Sequence, residues 1–183
     1  MREIEKFFLE VYRALEDVQY GETRSYRKGS RVNPYSTRGY YEEIGPPYLL
    51  ILIENSEKKE LIYDFVKRAV KLSSLSECYW SLLFGTEKGI SFHLLPRAEK
   101  LIEELGRTGE KDWRKALSWL RYHVNRMGEP KAIISLLFTP PPKDLLGAWK
   151  KIWEEVNFLA IFGPRTLGNF LKLSDYFVSF RSF

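Results

Sequence analysis

Cysteine is almost absent from this chain, since Cys78 is the only one among 183 residues. A single cysteine cannot form an intramolecular disulfide, which excludes a disulfide-stabilised scaffold and favours a reducing compartment. The first residues lack the apolar run of a signal peptide. The longest apolar runs, such as residues 48–53, are far too short to cross a bilayer. We therefore predict a cytoplasmic protein that has no membrane partner.

Histidine, glutamine and short catalytic motifs are also scarce. The histidines are His93 and His123, and their spacing from each other and from Cys78 matches no zinc-site pattern. The sequence contains no P-loop, no glycine-rich dinucleotide fingerprint, no G-x-S-x-G and no H-E-x-x-H. We therefore predict no cofactor and no metal. One glutamine and two methionines beside abundant Glu, Lys and Arg are typical of a thermophilic protein.

Positive charge, in contrast, is concentrated in residues 20–41, which we call the basic segment. The segment contains five basic residues and one acid, Glu22, so it carries a net charge of +4 in a chain whose total is +5. Glycines and a proline interrupt the segment without any regular period. This pattern predicts a long loop or a loose hairpin, and loops of this length are often functional.

The residue types of the basic segment favour contact with nucleic acid. An arginine guanidinium can bond two phosphate oxygens at once, and a tyrosine ring can stack on an unpaired base. We therefore predict a nucleic-acid-binding protein, with RNA or single strands favoured. The predicted contact residues are Arg24, Tyr26, Arg27, Lys28, Arg31, Tyr35, Arg38 and Tyr40.

The hydrophobic periodicity predicts an α+β fold. Helices are expected over residues 2–18, 56–72, 96–105, 110–127, 143–162 and 166–173, and strands over 48–53, 77–84, 90–95 and 131–138, with an edge strand near the C-terminus. The order from residue 48 to 138 predicts a ferredoxin-like βαββαβ antiparallel sheet. Residues 1–47 would add the N-terminal helix and the basic segment, 48–139 the α+β core, and 140–183 a helical extension packed on the same domain.

Two alternatives to simple nucleic-acid binding remain open at this point. An RNA-processing nuclease would need a general acid and base, for which His93 and His123 are the candidates, or a metal held by carboxylates such as Glu54 and Asp64. A non-catalytic subunit of a larger complex would bind a protein partner through the aromatic-rich C-terminal region, which includes Trp149, Trp153, Phe177, Phe180 and Phe183.

Overall fold

The computed structural model describes residues 1–19, 46–76, 78–94 and 99–181. Its helices and strands follow one another as α1 Arg2–Gln19, β1 Tyr48–Glu54, α2 Lys59–Val70, β2 Cys78–Thr86, β3 Gly89–Leu94, α3 Glu99–Glu104, α4 Trp113–Arg126, β4 Lys131–Leu136, α5 Leu146–Glu155, β5 Phe158–Pro164 and β6 Tyr176–Phe180. Short 3-10 helices occupy Lys71–Leu75, Lys143–Leu145 and Arg165–Lys172. The basic segment lies outside the described residues, so the loop or hairpin expected there stays a prediction.

The described strands form one six-stranded sheet in the order β3-β2-β1-β4-β5-β6. Every neighbouring pair is parallel except β2 and β3, which form an antiparallel hairpin. The ferredoxin-like antiparallel sheet predicted from the sequence is therefore wrong, because the observed sheet is mixed and mostly parallel. Its strand order is that of doubly wound sheets, apart from the antiparallel edge strand.

Two features overturn that prediction: β1 pairs in parallel with β2 and β4, and β5 lies where one long C-terminal helix was expected. The chain leaves α5 at Val156, whose φ of −106° and ψ of 155° are extended, and β5 begins two residues later. Every residue of β5 is buried. A strand covered on both faces is continuously apolar, and such a run also fits the stripe of a helix. The turn is held at Asn157, whose side-chain oxygen accepts a hydrogen bond from the backbone N–H of Lys131 at 3.0 Å.

Helices cover both faces of the sheet. One apolar core lies between the sheet and helices α1, α2 and α3, and includes Phe7 and Phe65. The other lies between the sheet and helices α4 and α5, and includes Leu120 and Trp149. Within each central strand, alternate residues enter opposite cores; in β1, Ile51 joins the first core and Leu52 the second. The continuous apolar run of β1 therefore results from burial on both faces of the sheet.

Helix α4 extends from the carboxyl edge of the sheet to its amino edge. At the first edge, the Asp112 carboxylate caps the helix by accepting a hydrogen bond from the backbone N–H of Lys115 at 3.0 Å. At the second edge, the Lys131 ammonium donates to the carbonyl oxygen of Val124 at 2.9 Å, where a cation stabilises the helix C-terminus. No helix in the described part of the chain is long and apolar enough to cross a membrane.

Candidate functional site

The carboxyl ends of β1 and β4 define the first place to search for a site. In doubly wound sheets, ligands bind at the carboxyl edge between the neighbouring strands where the strand order reverses. Here these strands are β1 and β4. The last residue of β1 is Glu54, whose side chain is fully buried, and Asn55 follows it with no exposed surface. A buried carboxylate at this point requires partners for its charge.

The Glu54 carboxylate has a complete set of partners within the chain. The Lys111 ammonium lies 2.6 Å from Oε2. The backbone N–H groups of Phe138 and Thr139 each donate to Oε1 at 3.0 Å. The hydroxyl of Thr139 also lies 3.0 Å from both carboxylate oxygens. The buried charge is therefore compensated by an opposite charge and by hydrogen bonds from the segment after β4.

Asn55 joins the same edge of the sheet to the loop after α3. Its side-chain amide donates to the carbonyl oxygen of Arg107 at 3.0 Å, with longer contacts of 3.4 Å to those of Gly85 and Glu104. Its side-chain oxygen accepts from the backbone N–H of Gly106 at 3.2 Å. Glu54, Asn55, Lys111 and Thr139 thus form what we call the carboxyl-edge network, which holds three separate loops together.

The carboxyl-edge network connects loops of the fold and does not form an open binding site. The polar atoms of Glu54 and Asn55 bond to protein groups, so they do not converge on an open space. The turn after β1, residues 55–58, contains no glycine, whereas a dinucleotide pyrophosphate needs the close backbone approach that glycine allows. Among the residues that the structure describes, no group of three or more His, Cys, Asp or Glu side chains is placed to hold a metal ion.

The two histidines lie on opposite faces of the sheet. His93 is in β3, and its Nε2 lies 3.4 Å from the carboxylate of Glu104, on the α3 side. The same carboxylate accepts a hydrogen bond from the Ser91 hydroxyl at 2.5 Å. His123 is in α4, where its ring stacks on Phe92 with centroids 3.7 Å apart and planes 5° apart. The sheet therefore separates the two residues proposed as a general acid and base.

The exposed side of α4 is basic and aromatic. It consists of Arg114, Lys115, Ser118, Trp119, Arg121, Tyr122, Asn125 and Arg126, and we call it the α4 face. Helix α4 contains four Lys or Arg residues and no Asp or Glu, so its net charge is +4. Arg114 pairs with Asp144 at 3.1 Å, but both side chains are largely exposed. Within the described residues, Lys115, Arg121 and Arg126 make no ion pair, so their charges remain available to an anion.

Aromatic rings on the α4 face connect it to the edge of the sheet. Tyr122 meets His123 edge to face at 5.2 Å, and Trp119 lies 6.1 Å from the same imidazole. Beneath His123, Phe92 stacks in turn on Trp80, with centroids 5.0 Å apart. Trp119 and Tyr122 retain exposed fractions of 37% and 53%. The exposed rings are thus supported by a stack of aromatic rings from β2 and β3.

The charge state of His123 suits a packed ring. Burial lowers the pKa of His123 below its ordinary value, and the positive charge of Arg126 lowers it further. The imidazole is therefore neutral at neutral pH and stacks on Phe92 without a charge of its own. The Arg126 guanidinium lies 4.2 Å from the centroid of the Tyr122 ring, a cation–π arrangement that holds its charge above the aromatic surface.

The C-terminal end of α4 lies beside the point where the described chain resumes after the basic segment. That point is Pro46, two residues before the first residue of β1, Tyr48. The Tyr48 ring packs so closely on Gly128 that a Cβ there would lie 2.5 Å from Cε2 of the ring. The backbone N–H of Tyr48 donates to the carbonyl oxygen of Pro130 at 2.7 Å. Arg126 precedes Gly128 by only two residues, so it belongs to the same edge.

The other residues proposed from the sequence fall into three groups. The predicted nucleic-acid contacts lie outside the described residues, namely Arg24, Tyr26, Arg27, Lys28, Arg31, Tyr35, Arg38 and Tyr40. Glu54 belongs to the carboxyl-edge network, whereas Asp64 pairs with Arg68 at 3.1 Å on the surface of α2. Most of the apolar C-terminal face is covered within the chain, since Trp149, Ile152 and Phe180 are almost fully buried, although Phe177 remains 41% exposed.

The α4 face is the feature that the sequence analysis missed. Its signal is present in the sequence, because a 14-residue helix with four cations and no acid is unusual in a chain whose charges are otherwise mixed. Comparison with protein-family models finds no match for this chain, and no curated protein matches its sequence.

Proposed function

We propose that the protein binds nucleic acid, with RNA or single strands favoured, through the basic segment and the α4 face together. The proposal rests on the uneven distribution of net charge along the chain. The basic segment and α4 each hold +4, and since the whole chain is +5, the rest of the chain has a net charge of −3. Clustered cations attract a polyanion and gain affinity by releasing its counterions.

The position of the chain at the amino edge supports the joint use of both regions. Pro46, at the end of the connection from the basic segment, lies next to Tyr48, and Tyr48 packs on Gly128 at the end of α4. Lys131, which pairs with Tyr48 across the sheet, adds a further cation at this edge. A strand of nucleic acid that crosses this edge would meet Arg126 and Lys131 close to Pro46, from which the chain continues toward the basic segment.

The arginines of the basic segment are the residues to test first. We expect labelled single-stranded RNA and DNA to bind more weakly as salt rises from about 50 to about 200 mM. The triple variant Arg27→Ala/Arg31→Ala/Arg38→Ala should reduce the salt dependence by about 2 in log–log slope, because each lost phosphate contact contributes about 0.7 on single strands. Fluorescence anisotropy at several salt concentrations measures both quantities.

A matched triple variant separates a specific surface from general charge. Lys67, Lys150 and Lys151 are exposed cations on α2 and α5, and their replacement by Ala removes the same charge as the arginine triple variant. We expect this control to bind almost as the parent protein does. Binding that ignores salt, or equal losses in the two triple variants, would contradict the proposed use of the basic segment.

A further inference from the structure

The α4 face presents two large aromatic rings side by side. Trp119 and Tyr122 are three residues apart, a spacing that places side chains next to one another on a helix surface. Trp119 is the most exposed of the five tryptophans in this chain. Exposed aromatic side chains adjacent to cations are the combination with which proteins bind unpaired bases.

The packing under these rings makes them a fixed surface. The imidazole of His123 lies against both exposed rings and stacks on Phe92, which stacks on Trp80. Trp80 and Phe92 belong to adjacent strands of the hairpin, at β2 and β3. Rings supported in this way lose little conformational freedom when a base stacks on them, so less of the stacking energy is spent on ordering.

The cations of the α4 face are placed for a phosphate backbone that passes beside the rings. Arg121 is adjacent to Tyr122 in the sequence, and the Arg126 guanidinium is held 4.2 Å from the Tyr122 ring centroid. Neither arginine makes an ion pair within the described ranges. An acidic protein segment would also be attracted to these cations, but its acidic side chains would not stack on the flat faces of the aromatic rings.

We propose that Trp119 and Tyr122 form a base-stacking platform, on which unpaired bases of a single strand stack while Arg121 and Arg126 contact its phosphates. This inference rests on the nucleic-acid-binding function proposed above and deepens it by selecting single strands over duplexes. In a duplex, bases expose their flat faces only at the ends, so the platform gains nothing from the interior of a helix. The platform therefore predicts a preference that phosphate contacts alone do not produce.

The test compares a labelled oligo-uridine, a labelled oligo-thymidine, a duplex of equal length and heparin, a polyanion without bases. We expect the protein to bind the single strands more tightly than the duplex and heparin at equal salt. The variant Trp119→Ala/Tyr122→Ala should weaken single-strand binding by about 5- to 150-fold for each ring that stacks. Its salt dependence should remain that of the parent protein, because no charge is removed.

The chain offers a matched control on the opposite side of the sheet. Tyr63 on α2 is 41% exposed and has the Lys67 ammonium 5.4 Å from its ring centroid, so it repeats the ring and cation of Tyr122 and Arg126. Tyr63→Ala should leave single-strand binding unchanged. Trp119→Phe/Tyr122→Phe should restore most of the binding, because it keeps both flat rings, and it should abolish any quenching of Trp119 fluorescence by the oligonucleotide.

Each remaining outcome decides between the two proposals. If Trp119→Ala/Tyr122→Ala binds single strands as the parent protein does while the arginine triple variant of the basic segment fails, the platform is wrong and the proposed function stands. Equal affinity for single strands, duplex and heparin also overturns the platform alone. If the parent protein binds no nucleic acid, both proposals fail. If the double variant changes only self-association, measured by light scattering, the rings serve a protein interface and the platform is wrong.

Discussion

The carboxyl-edge network and the α4 face use the same kinds of side chain for opposite purposes. In the network, the Lys111 ammonium is 2.6 Å from a fully buried carboxylate, and every strong polar group has a partner within the chain. On the α4 face, Arg121 and Arg126 project to solvent beside exposed rings, and α4 supplies no acid to neutralise them. A charge that is paired within the chain joins parts of the fold, whereas a charge without an ion-pair partner remains available for binding.

The comparison also shows that the strand order alone does not locate the residues that are available for binding. A doubly wound order directs attention to the carboxyl edge, where ligands of such sheets usually bind. In this chain the buried polar groups at that edge bond to one another across three loops. Among the described residues, exposed cations and aromatic rings are instead gathered on helix α4. Function is therefore argued from the residues of a site and not from its position in the fold.

The largest expected effect comes from breaking the carboxyl-edge network. Glu54→Ala removes the buried charge that pairs with Lys111 and leaves the N–H groups of Phe138 and Thr139 without their acceptor. We expect the free energy of unfolding to fall by roughly 2–5 kcal/mol, because two N–H groups lose a buried acceptor at roughly 1–3 kcal/mol each, whereas Lys111 keeps 32% of its side chain exposed. Urea denaturation measures this loss. Nucleic-acid affinity of the remaining folded protein should be unchanged.

Glu57→Ala is the matched control for Glu54→Ala. Glu57 is exposed and lies three residues further along the chain, so its removal should change stability by no more than about 0.5 kcal/mol. Similar losses in the two variants would show that the network has no special structural role. A large loss of binding at full stability in Glu54→Ala would instead turn the network into part of a binding site.

A smaller loss of stability is expected at the amino edge from Gly128→Ala. A Cβ at this position would lie 2.5 Å from Cε2 and 2.7 Å from Cζ of Tyr48, so the ring must move. Overpacking of this kind costs about 1–3 kcal/mol. Thermal unfolding measures the cost, and the double variant Gly128→Ala/Tyr48→Ala should cost less than the two single changes summed. Strict additivity would mean that the two residues do not touch.

Some features of the fold could be predicted from the sequence and others could not. The apolar run of β1 and the hairpin of β2 and β3 were predictable, because local periodicity and a turn with glycines at 85 and 89 determine them. The pairing of Glu54 with Lys111 joins residues 57 positions apart, and no local pattern encodes it. The parallel pairing of β1 with β2 and β4 was missed because no local pattern encodes which strands become neighbours. Strand β5 was missed because its continuous apolar run also fits the stripe of a helix.

Removal of charge from the α4 face should affect binding and leave the fold almost unchanged. Arg121→Ala/Arg126→Ala deletes two cations that the structure leaves outside any described ion pair. We expect the log–log salt slope for single strands to fall by about 1.4, since each phosphate contact contributes about 0.7. The control Lys67→Ala/Lys71→Ala removes two exposed cations from the α2 side and should leave the slope as it was. A slope that stays the same in the α4 variant would exclude this face from phosphate contact.

The smallest expected effect concerns the pH dependence of stability at His123. Burial and the charge of Arg126 lower the pKa of His123 in the folded protein, while the unfolded chain keeps a value near 6.5. Between these two values the unfolded state binds more protons, so the free energy of unfolding must decrease as pH falls below about 6.5. His123→Phe keeps a ring against Phe92 and removes the titration, so urea denaturation at several pH values should show a shallower decrease than in the parent protein. Identical pH profiles would mean that the imidazole is as free to protonate in the fold as in the unfolded chain, and the stacked, neutral His123 beneath Trp119 and Tyr122 would have to be abandoned.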